Sequence, residues 1–546
     1  MVSGKETPVA VEPRRRLRVL FSFRPEQYLL ALGQAAVLGY WSMYSEALRN
    51  AALLIAAQVA LAYAIDVLLV QRRGDRYELG LGPCSAVLTL NLFLRFHNEW
   101  FVLQFCLVAV AVVANRALCW QRAGRRTPIF NAPALALAVF ALGLSVTRST
   151  ELTWIADMSS TLLFPPQIYL FVLVASVPAL FVLRTTAITL SAGVTVWALS
   201  ALALRVSGTY FFVDSTIPIA VFLGIHLLVA DPVTSPRREL AQILFGVFYG
   251  TSVFALYGLL LRFGAPAYFA LLLPLPVLNV IAPMLDRFAD APRLAWVRPE
   301  GIGRALASSR RSLAYVMVWG GVFGGMSVAS AVGDHHPGRT IQFWDQACRA
   351  DRPGACGNLS SLLQRYCTLE SGWACNELGI LRSTGKLKAV PNLSEMFTRA
   401  CGFGQKAGCE NVRKLEANQR DFVRGEPTVL DFPRILQAGK GPIAERTSLQ
   451  LFTRACDDGW MSGCDGLTAI YFRGIPGVSP DKARAAALAL KGCEANYARS
   501  CSNLGLMHKN GDGVAQDAAK ALLYLKRSCD LGFQDGCRWL AEEQAK

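Results

Sequence analysis

Residues 313–332 read LAYVMVWGGVFGGMSVASAV and separate two parts of the chain that differ in composition. No residue in this stretch is charged, and about twenty apolar residues are what an α-helix needs to cross the hydrocarbon core of a bilayer. Arg304, Arg310 and Arg311 precede it, and basic residues beside a span tend to remain in the cytoplasm. The stretch therefore predicts a membrane helix that carries the chain out of the cytoplasm.

The composition of this 546-residue chain is that of a membrane protein. Hydrophobic residues make up 53% of the sequence, and the mean hydropathy is positive. A net charge of +16 would also suit nucleic-acid binding, but the arginines lie in short loops between apolar runs, where membrane proteins accumulate positive charge. We therefore expect the lipid bilayer, and no nucleic acid, as a partner.

Eleven apolar runs are candidate membrane spans. Residues 1–26 are polar and basic and lack the apolar region and cleavage site of a signal peptide, so we expect an uncleaved cytoplasmic N-terminus. The spans follow at about 27–47, 51–70, 82–96, 100–119, 129–146, 167–183, 186–205, 212–230, 240–262, 267–286 and 313–332. The third begins with Gly82 and Pro83 and predicts a broken or partial helix.

The loop charges give the orientation of these spans. Alternate loops are rich in arginine, and the loops between them hold about one basic residue each. The rich loops contain Arg72, Arg73, Arg76, Arg122, Arg125, Arg126, Arg237, Arg238, Arg287, Arg293, Arg298, Arg304, Arg310 and Arg311. This alternation predicts a membrane domain over 27–290, a cytoplasmic linker over 291–312, and a domain over 333–546 in the periplasm of a bacterial inner membrane.

Twelve of the fifteen cysteines follow the last span and form pairs with seven residues between the members. The pairs are Cys348 with Cys356, Cys367 with Cys375, Cys401 with Cys409, Cys456 with Cys464, Cys493 with Cys501, and Cys529 with Cys537. The first members of successive pairs are 19, 34, 55, 37 and 36 residues apart, which indicates an underlying repeat of about 36 residues. Repeats of this length are typical of solenoids built from helical hairpins.

The spacing also limits how the paired cysteines can meet. On one continuous helix they would stand about 12 Å apart, too far for a disulfide bond, whereas a tight turn would place them on two antiparallel helices. We therefore expect each pair to bond locally across a turn. Most intervals contain a glycine that could form this turn, and only the interval from Cys493 to Cys501 has none. These glycines are Gly354, Gly372, Gly408, Gly463 and Gly536.

Zinc binding is the alternative for these cysteines, but paired zinc ligands are usually closer together in sequence. Disulfides require an oxidising compartment, which agrees with a periplasmic domain. The orientation predicted from the arginines and the chemistry predicted from the cysteines therefore support each other.

The last repeats resemble a known family. The residues that carry the resemblance are Cys501, Leu504, Gly505, Gly511, Gly513, Val514, Asp517, Ala518, Lys520, Ala521, Tyr524, Cys529, Gly532 and Cys537. Gly474, Gly477, Val478, Asp481 and Ala483 show the same pattern one repeat earlier. The pattern is similar to the SEL-one-like repeat, a relative of the tetratricopeptide repeat, in its cysteine-rich form. Residues 340–470 match less well, and 410–445 look like an insertion or a degenerate repeat. The resemblance implies an α-solenoid scaffold for contacts with other, here periplasmic, proteins.

Three stretches of the membrane half resemble another family. Residues 129–133 read IFNAP, residues 230–236 read ADPVTSP, and residues 278–286 read LNVIAPMLD. In this order they resemble the membrane family shared by the Rnf complex and the sodium-translocating NADH:quinone oxidoreductase, over about residues 17–290. The resemblance implies an all-α bundle of ten helices in two inverted halves. It also implies flavin-linked electron transport together with other membrane proteins of such a complex.

One departure from this family concerns its flavin. The family attaches FMN to a threonine in a Ser-Gly-Ala-Thr type motif, and no Gly-Ala-Thr occurs in this chain. Ser159, Ser160 and Thr161 offer hydroxyl groups at the corresponding place without the motif. We therefore expect no covalent FMN, and any flavin, FMN or riboflavin, would be bound non-covalently.

The candidate cofactor-binding residues are Asn131, Asp231, Thr234, Ser235 and Asn279. For residues 231–236 the structural interpretation is a helix break with Ser235 as N-cap and Pro236 in the first helical position. The functional interpretation adds a phosphate or ion at the free amides of that helix start. The two asparagines would bond either the backbone of broken helices or a flavin ring.

Other polar residues of the apolar half have simpler interpretations. For His226 a hydrogen-bonded structural role is favoured over haem or metal ligation, because no second intramembrane histidine is evident. Asp66 is expected to face a cavity or to pair with an arginine. His335 and His336 are expected to lie in a solvated linker rather than to bind a metal.

We therefore favour an inner-membrane electron-transport protein, of the kind that forms part of a larger complex, which carries a periplasmic repeat scaffold. No Walker loop, dinucleotide fingerprint or hydrolase triad is visible, so the chain would be at most a redox component of a larger oxidoreductase, without a complete catalytic site. The alternative is a membrane body without redox chemistry, such as a transporter-like body or an anchor, that presents the repeat scaffold.

Overall fold

The chain folds into two compact units, the first within residues 1–203 and 214–336 and the second within 204–213 and 337–546. The computed structural model describes residues 18–21, 25–71, 76–122, 125–155, 158, 161–163, 165–213, 215–263, 265–294, 308–333, 336–368, 370–386, 393–427, 431, 448–475 and 478–545.

The first unit is helical apart from two short strand pairs. Its helices are α1 Pro25–Ser42, α2 Glu46–Asn50, α3 Ala52–Gln71, α4 Gly82–Phe93, α5 Phe101–Ala117, α6 Ala132–Thr147, α7 Ile168–Leu183, α8 Thr186–Ser207, α9 Ile219–Leu227, α10 Glu239–Arg262, α11 Pro274–Ala289 and α12 Ser308–Val328. Strand β1, Arg18–Phe21, pairs in parallel with β2, Arg76–Leu79, and β3, Cys119–Arg122, pairs antiparallel with β4, Arg125–Pro128.

Five helical segments are long and apolar enough to cross a membrane by length and composition. They are Ala52–Gln71, Asn98–Ala117, Thr186–Ser207, Glu239–Arg262 and Ala267–Ala289. Three shorter apolar helices, α4, α6 and α7, accompany them. The structure therefore supports several membrane spans and does not show the predicted ten-helix bundle.

Two of the predicted spans are interrupted for local reasons. Helix α4 has 12 residues and extends about 18 Å, so the predicted third span is indeed partial. The predicted span over 212–230 is not a continuous helix, because only Ile219–Leu227 is helical. Pro218 stands before this helix in an extended conformation, and Asp231-Pro232 follows it, so nine residues of helix extend only about 14 Å.

Buried polar side chains pair with one another between the helices of the first unit. Asp66 accepts two hydrogen bonds from the guanidinium of Arg116, at 2.7 and 2.9 Å, and one from the hydroxyl of Tyr77 at 3.1 Å. In the same region Asn91 donates to Gln58 over 2.7 Å. A polar group in an apolar interior is costly unless it is bonded, so these pairs fix the helices in register. The prediction that Asp66 pairs with an arginine is confirmed.

The helix predicted over 313–332 forms over Ser308–Val328 and packs through one large side chain. Trp319 is fully buried, and its indole lies where a side chain on Gly193 would be: a Cβ added there would stand 2.5 Å from the ring. Its N–H donates to Nε2 of His226 over 2.9 Å. Helix α12 therefore contacts both α8 and α9.

The second unit is a run of antiparallel helices. They are α13 Ile341–Arg349, α14 Ala355–Thr368, α15 Gly372–Ser383, α16 Leu393–Gly402, α17 Lys406–Glu416, α18 Ser448–Asp457, α19 Met461–Arg473, α20 Lys482–Glu494, α21 Ala498–Asn510, α22 Ala518–Asp530 and α23 Gln534–Gln544. Two clusters of buried side chains form its core, one around α13–α16 and one around α19–α21, and Phe452 of α18 packs against both.

Each predicted cysteine pair forms a disulfide bond between two consecutive helices. The S–S distances lie between 2.01 and 2.08 Å, and the Cα–Cα distances lie between 4.5 and 4.7 Å. The bonds join Cys348 with Cys356, Cys367 with Cys375, Cys401 with Cys409, Cys456 with Cys464, Cys493 with Cys501, and Cys529 with Cys537. All twelve cysteines are used in the predicted pairing, so the zinc alternative is wrong.

The disulfides also explain the irregular spacing of the first two pairs. Helix α14 carries Cys356 near its start and Cys367 near its end, so one helix takes part in two bonds and the pairs start only 19 residues apart. Each bond closes a loop of about nine residues, which corresponds to about 2–3 kcal/mol in the chain-entropy account.

The turn inside each hairpin has the same backbone conformation. The third residue after the first cysteine is left-handed in every case: Asp351, Glu370, Gly404, Gly459, Asn496 and Gly532. The amide of the next residue donates to the carbonyl of the residue before the first cysteine, as in the bond from Gln405 to Ala400 over 3.0 Å. This is the Schellman ending of a helix, which favours but does not require glycine. The hairpin between Cys493 and Cys501 uses Asn496 and therefore needs no glycine.

The glycines that the sequence suggested for the turns mostly have a different role. Gly408 lies in the first turn of α17, where an added Cβ would stand 2.5 Å from Cβ of Ala400. Gly463 faces Ala455, Gly536 faces Ser528, and Gly492 faces Ser500 in the same way. These residues each precede a cysteine, so small side chains beside the disulfide allow the two helices to approach. The prediction that they form the turns is wrong for Gly372, Gly408, Gly463 and Gly536, which are helical.

The signature residues of the last repeats also have identifiable roles. Gly505 packs against Leu525, whose Cγ would be 2.9 Å from an added Cβ, and Gly511 ends α21 with a φ of 75°. The carboxylate of Asp517 accepts the amide of Lys520 over 3.0 Å and caps α22. The signature therefore specifies close packing, a helix end and a helix start.

We predict that Gly408→Ala destabilises the second unit by about 1–3 kcal/mol, because the new methyl group overpacks the contact with Ala400. Gly402→Ala is the matched control, since an added Cβ at Gly402 has no atom within 4 Å. Urea unfolding of the full-length protein, followed by hydrogen exchange in residues 393–416, measures the difference. Equal midpoints for the two variants would contradict the packing role.

Candidate functional site

Residues 129–133 and 278–286 of the first unit meet at helix ends, and residues beside 230–236 bond to both stretches. The amide of Asn131 donates to Oδ1 of Asn279 over 3.0 Å, and Nδ2 of Asn131 donates to the carbonyl of Leu228 over 2.9 Å. Oδ1 of Asn131 accepts the amide of Ala134 over 3.2 Å and caps α6. The two asparagines therefore join the start of α6, the end of α9 and the middle of α11.

Residues 231–236 form a compact turn rather than a helix start. The carboxylate of Asp231 accepts the hydroxyl of Thr234 over 2.7 Å and the amide of Val233 over 3.3 Å. The hydroxyl of Ser235 donates to the carbonyl of Val229 over 3.3 Å. The polar groups of this turn are thus bonded within the turn and to the end of α9.

The predicted N-cap at Ser235 is wrong, because the next helix begins later and is capped from elsewhere. Helix α10 starts at Glu239, and the amides of Arg237 and Arg238 donate to Oδ1 of Asp286 over 2.8 and 3.0 Å. The Asp286 carboxylate of α11, 48 residues from Arg238, thus takes the place that was predicted for the Ser235 hydroxyl. The amides proposed for a phosphate or ion already bind this carboxylate, which favours the structural interpretation.

The candidate cofactor residues bond protein atoms through their side chains. The hydroxyls of Thr234 and Ser235, the carboxylate of Asp231 and Oδ1 of Asn279 all bond protein atoms. Thr161 is partly buried, while Ser159 and Ser160 lie outside the described residues.

The histidines of the first unit have structural surroundings. His226 is buried, its Nδ1 lies 2.7 Å from the carbonyl of Phe222, and its Nε2 accepts the indole N–H of Trp319. Both ring nitrogens are engaged, as the structural interpretation predicts. His336 is buried with Nε2 3.4 Å from the hydroxyl of Thr216, so its predicted place in a solvated linker is wrong, and His335 lies outside the described residues.

Within the described residues, the second unit holds a non-helical segment, residues 419–427, against its own helices. Asn411 binds both backbone polar groups of Val423 with its side chain: Oδ1 accepts the N–H over 2.7 Å and Nδ2 donates to the carbonyl over 2.8 Å. Nδ2 of Asn376 donates to the same carbonyl over 3.1 Å. Nδ2 of Asn411 also bonds Oδ1 of Asn376 over 2.8 Å. We call Asn376 and Asn411, both fully buried, the first clamp.

The segment runs antiparallel to α17 in an extended conformation. Lys414 bonds Asp421 over 2.9 Å, and Nε2 of Gln405 donates to the carbonyl of Glu426 over 3.0 Å. From Asp421 to Glu426 the segment advances five residues alongside nine residues of helix, about 14 Å. This is about 2.8 Å per residue, nearer to the rise of an extended chain than to that of a helix. The indole of Trp373 donates to the carbonyl of Gly425 over 2.9 Å. Most of these contacts are made to the backbone, so they specify conformation more than sequence.

A cavity of about 310 Å³ lies beside this segment. Trp373 and Trp460 meet edge to face in its wall, with ring centroids 4.9 Å apart. The apolar side chains of Leu359, Leu363 and Met461 and the phenol of Tyr497 also line the cavity. Apolar cavities with aromatic walls are suited to an inserted side chain of a partner.

Charged groups surround this cavity in opposed pairs. Arg424 of the segment lies 3.6 Å from Glu377 and 3.7 Å from Asp345. Burial raises the pKa of the Glu377 carboxyl, and the nearby Arg424 and the amide of Gly425 partly offset this. Burial and the 2.7 Å bond to Glu426 raise the pKa of the Tyr497 phenol, which keeps its proton as donor. The segment is thus fixed by charge as well as by its backbone.

Sequence reasoning did not find these residues. Its only indication was that 410–445 fit the repeat poorly, and the asparagines next to cysteines resemble ordinary polar positions of a helix. The relevant signal is an asparagine or aspartate one or two positions after the second cysteine of a pair, at Asn376, Asn411, Asp465 and Asn503.

The fold and its six disulfides define the second unit as an α-solenoid of stapled helical hairpins. A family model of the Sel1 repeat matches residues 466–497 and 498–533, and the C-terminal region accordingly contains Sel1 repeats that support contacts with other proteins.

Relatives with established names match part of the chain. Cytochrome c oxidase assembly factor 7 of Xenopus tropicalis is 30% identical over 171 residues, which are 30% of this chain and 65% of that protein. Cytochrome c oxidase assembly factor 7 of Homo sapiens is 31% identical over 164 residues, which are 29% of this chain and 64% of that protein. The chain thus covers slightly less than two thirds of the length of both relatives.

Two solved structures are also similar. Cysteine-rich protein B of Helicobacter pylori has 21% identity and a TM-score of 0.18, and the match covers 28% of this chain and 98% of that one. A Sel1 repeat protein of Oxalobacter formigenes has 18% identity and a TM-score of 0.21, covering 37% of this chain and 86% of that one.

We predict that Asn411→Ala releases residues 419–427, because it removes three hydrogen bonds inside a buried site, and that amide exchange there rises at least about tenfold. Asn503→Ala is the matched control, since Asn503 occupies the corresponding position two repeats later without contacting the segment. Hydrogen exchange with mass spectrometry reads both variants. Unchanged protection in Asn411→Ala would show that the clamp does not hold the segment.

Proposed function

We propose that this protein is a membrane-anchored scaffold whose Sel1-repeat unit binds extended segments of partner proteins. The single observation that carries the proposal is that the first clamp, Asn376 and Asn411, binds the backbone N–H and C=O of Val423. A side-chain amide that accepts from the N–H and donates to the C=O of one residue recognises an extended backbone whatever its sequence. The repeat unit therefore already binds one such segment, its own.

The cavity beside the segment supports binding of a second chain. With residues 419–427 in place, about 310 Å³ remain between Trp373, Trp460 and the neighbouring apolar residues. A partner segment running alongside would place an apolar side chain here and exclude water from the two indoles. Interfaces of this kind rely on one buried anchor with backbone bonds around it.

The proposed location follows from the disulfide bonds. Six disulfides persist only in an oxidising compartment. We place the N-terminus in the cytoplasm, several apolar helices in the inner membrane of a bacterium, and residues 333–546 in the periplasm. A C-terminal reporter that is active only outside the cytoplasm should work, and an active cytoplasm-only reporter would contradict this orientation.

The relatives suggest what kind of partner is bound. By their names, cytochrome c oxidase assembly factor 7 of Xenopus tropicalis and of Homo sapiens act in the assembly of an oxidase. We propose by analogy that this scaffold holds one component of a membrane-bound complex, such as an electron-transport complex, until the complex is complete. Extended segments are available in a component that has not yet found its neighbours.

A photo-crosslinking amino acid at Met461 tests the scaffold function, because Met461 lines the cavity. We expect one adduct in which the label maps to a single continuous segment of a partner. The control label replaces Leu523, which is 60% exposed and does not line the cavity. Equal labelling of the same proteins from both positions would mean that the cavity binds no particular segment.

Flavin-linked electron transport by the first unit is the second candidate function. The observation in its favour is that residues 129–133 and 278–286 meet at Asn131 and Asn279, while Asn131 and Asp286 bond residues on either side of 230–236. Flavin absorbance that co-purifies with the protein and survives washing would support it. Purified protein without flavin or a redox-active partner would leave the first unit as an anchor, which is the alternative stated from the sequence.

A further inference from the structure

A second pair of side chains in the repeat unit reproduces the geometry of the first clamp. Nδ2 of Asn503 donates to Oδ1 of Asp465 over 2.8 Å, the distance at which Asn411 donates to Asn376. In both pairs the acceptor stands one position, and the donor two positions, after the second cysteine of its hairpin. We call Asp465 and Asn503 the second clamp.

The second clamp retains hydrogen-bonding capacity. In the first clamp, Oδ1 of Asn411 and the remaining N–H of its side chain bind the backbone N–H and C=O of one residue, Val423. Within the described part of the chain, no backbone segment occupies the corresponding position at Asn503. Its amide therefore has one acceptor oxygen and one N–H to offer to an incoming peptide group.

The charge at the second clamp differs from that at the first. The second clamp has Asp465 where the first has the neutral Asn376, and Asp465 is mostly buried. Arg499 is the nearest cation, with an N–O distance of 3.9 Å, and its side chain is largely exposed. Burial accordingly raises the pKa of the Asp465 carboxyl. The negative charge of Glu426 also raises the pKa of the Asp465 carboxyl. A positive group on a partner would offset the cost of burying the charged Asp465 carboxylate, and it would not have to displace a close ion pair.

We propose that the second clamp binds an extended partner segment that places a peptide group on Asn503 and a lysine or arginine beside Asp465 and Glu426. This inference rests on the proposed scaffold function and names the partner's chemistry. By analogy with residues 419–427, the segment runs antiparallel to α21, and its other side chains reach the cavity wall formed by Trp460 and Tyr497.

The resident segment supplies the probe for this proposal. A fluorescent peptide with the sequence of residues 419–427, QRDFVRGEP, has a backbone that the first clamp accepts and two arginines. We expect it to bind the full-length protein in detergent, with an affinity that falls as salt rises. A companion peptide with both arginines changed to glutamine is expected to bind about tenfold more weakly.

Variants separate the two elements of the clamp. Asn503→Ala is expected to weaken binding of QRDFVRGEP at least about tenfold, while Asn510→Ala, an exposed change on the same helix, leaves it unchanged. Asp465→Asn recreates the chemistry of the first clamp, so it should keep binding but lose the preference for the arginine peptide. Retained protection of residues 419–427 from hydrogen exchange shows that each variant is folded.

Two results would overturn the inference. One is that QRDFVRGEP does not bind the wild-type protein. The other is that it binds Asn503→Ala as tightly as the wild type while Asp465→Asn keeps the wild-type preference for the arginine peptide. Either result leaves the scaffold function standing if the label at Met461 still captures a single partner segment. Loss of that adduct as well would remove both proposals.

Discussion

The repeat unit depends on one close approach, in which two consecutive helices come within 4.5–4.7 Å between the Cα atoms of their cysteines. In four of the six hairpins the residues that precede the two cysteines are a glycine and an alanine or serine, and a Cβ added to the glycine would clash with its partner. The left-handed residue comes three positions after the first cysteine. In five hairpins the next residue is the N-cap of the second helix, and the second cysteine follows one turn later. The seven-residue interval is therefore the length of a Schellman ending joined directly to a helix start.

Fixed hairpins have a consequence for the polar residues near the cysteines. Asn376 and Asn411 lie 35 residues apart in sequence, yet they come within hydrogen-bonding distance because successive hairpins stack with a constant offset. Once buried there, their amides need partners, since an unmet buried amide costs about 1–3 kcal/mol. Residues 419–427 supply those partners. The insertion that interrupts the repeat pattern is thus held by the repeats themselves.

Sequence reasoning identified the features that depend on local spacing and missed those that depend on distant partners. The disulfide pairs, the hairpin solenoid and a helix over most of 313–332, Ser308–Val328, follow from spacing and hydrophobic length alone. For Asp66 the sequence predicted either a cavity or an arginine partner, and folding brings Arg116 to it. Ser235 failed as an N-cap because a stronger acceptor, Asp286, arrives from another helix. The first clamp was missed for the same reason, since only folding brings Val423 to Asn411.

The two units differ in how much hydrogen-bonding capacity their polar clusters keep. In the first unit the cluster around Asn131, Asp231 and Asp286 uses its side-chain oxygens to hold helix ends together, as an apolar interior demands. The cluster therefore joins broken helices, and the resemblance to a flavin-linked family that the sequence suggested has no support among the similar proteins. In the second unit Asn503 and Asp465 bond each other and still present atoms to a further peptide group. Donor and acceptor atoms that make no bond within the fold can bond to a partner, so we expect binding at the repeat unit.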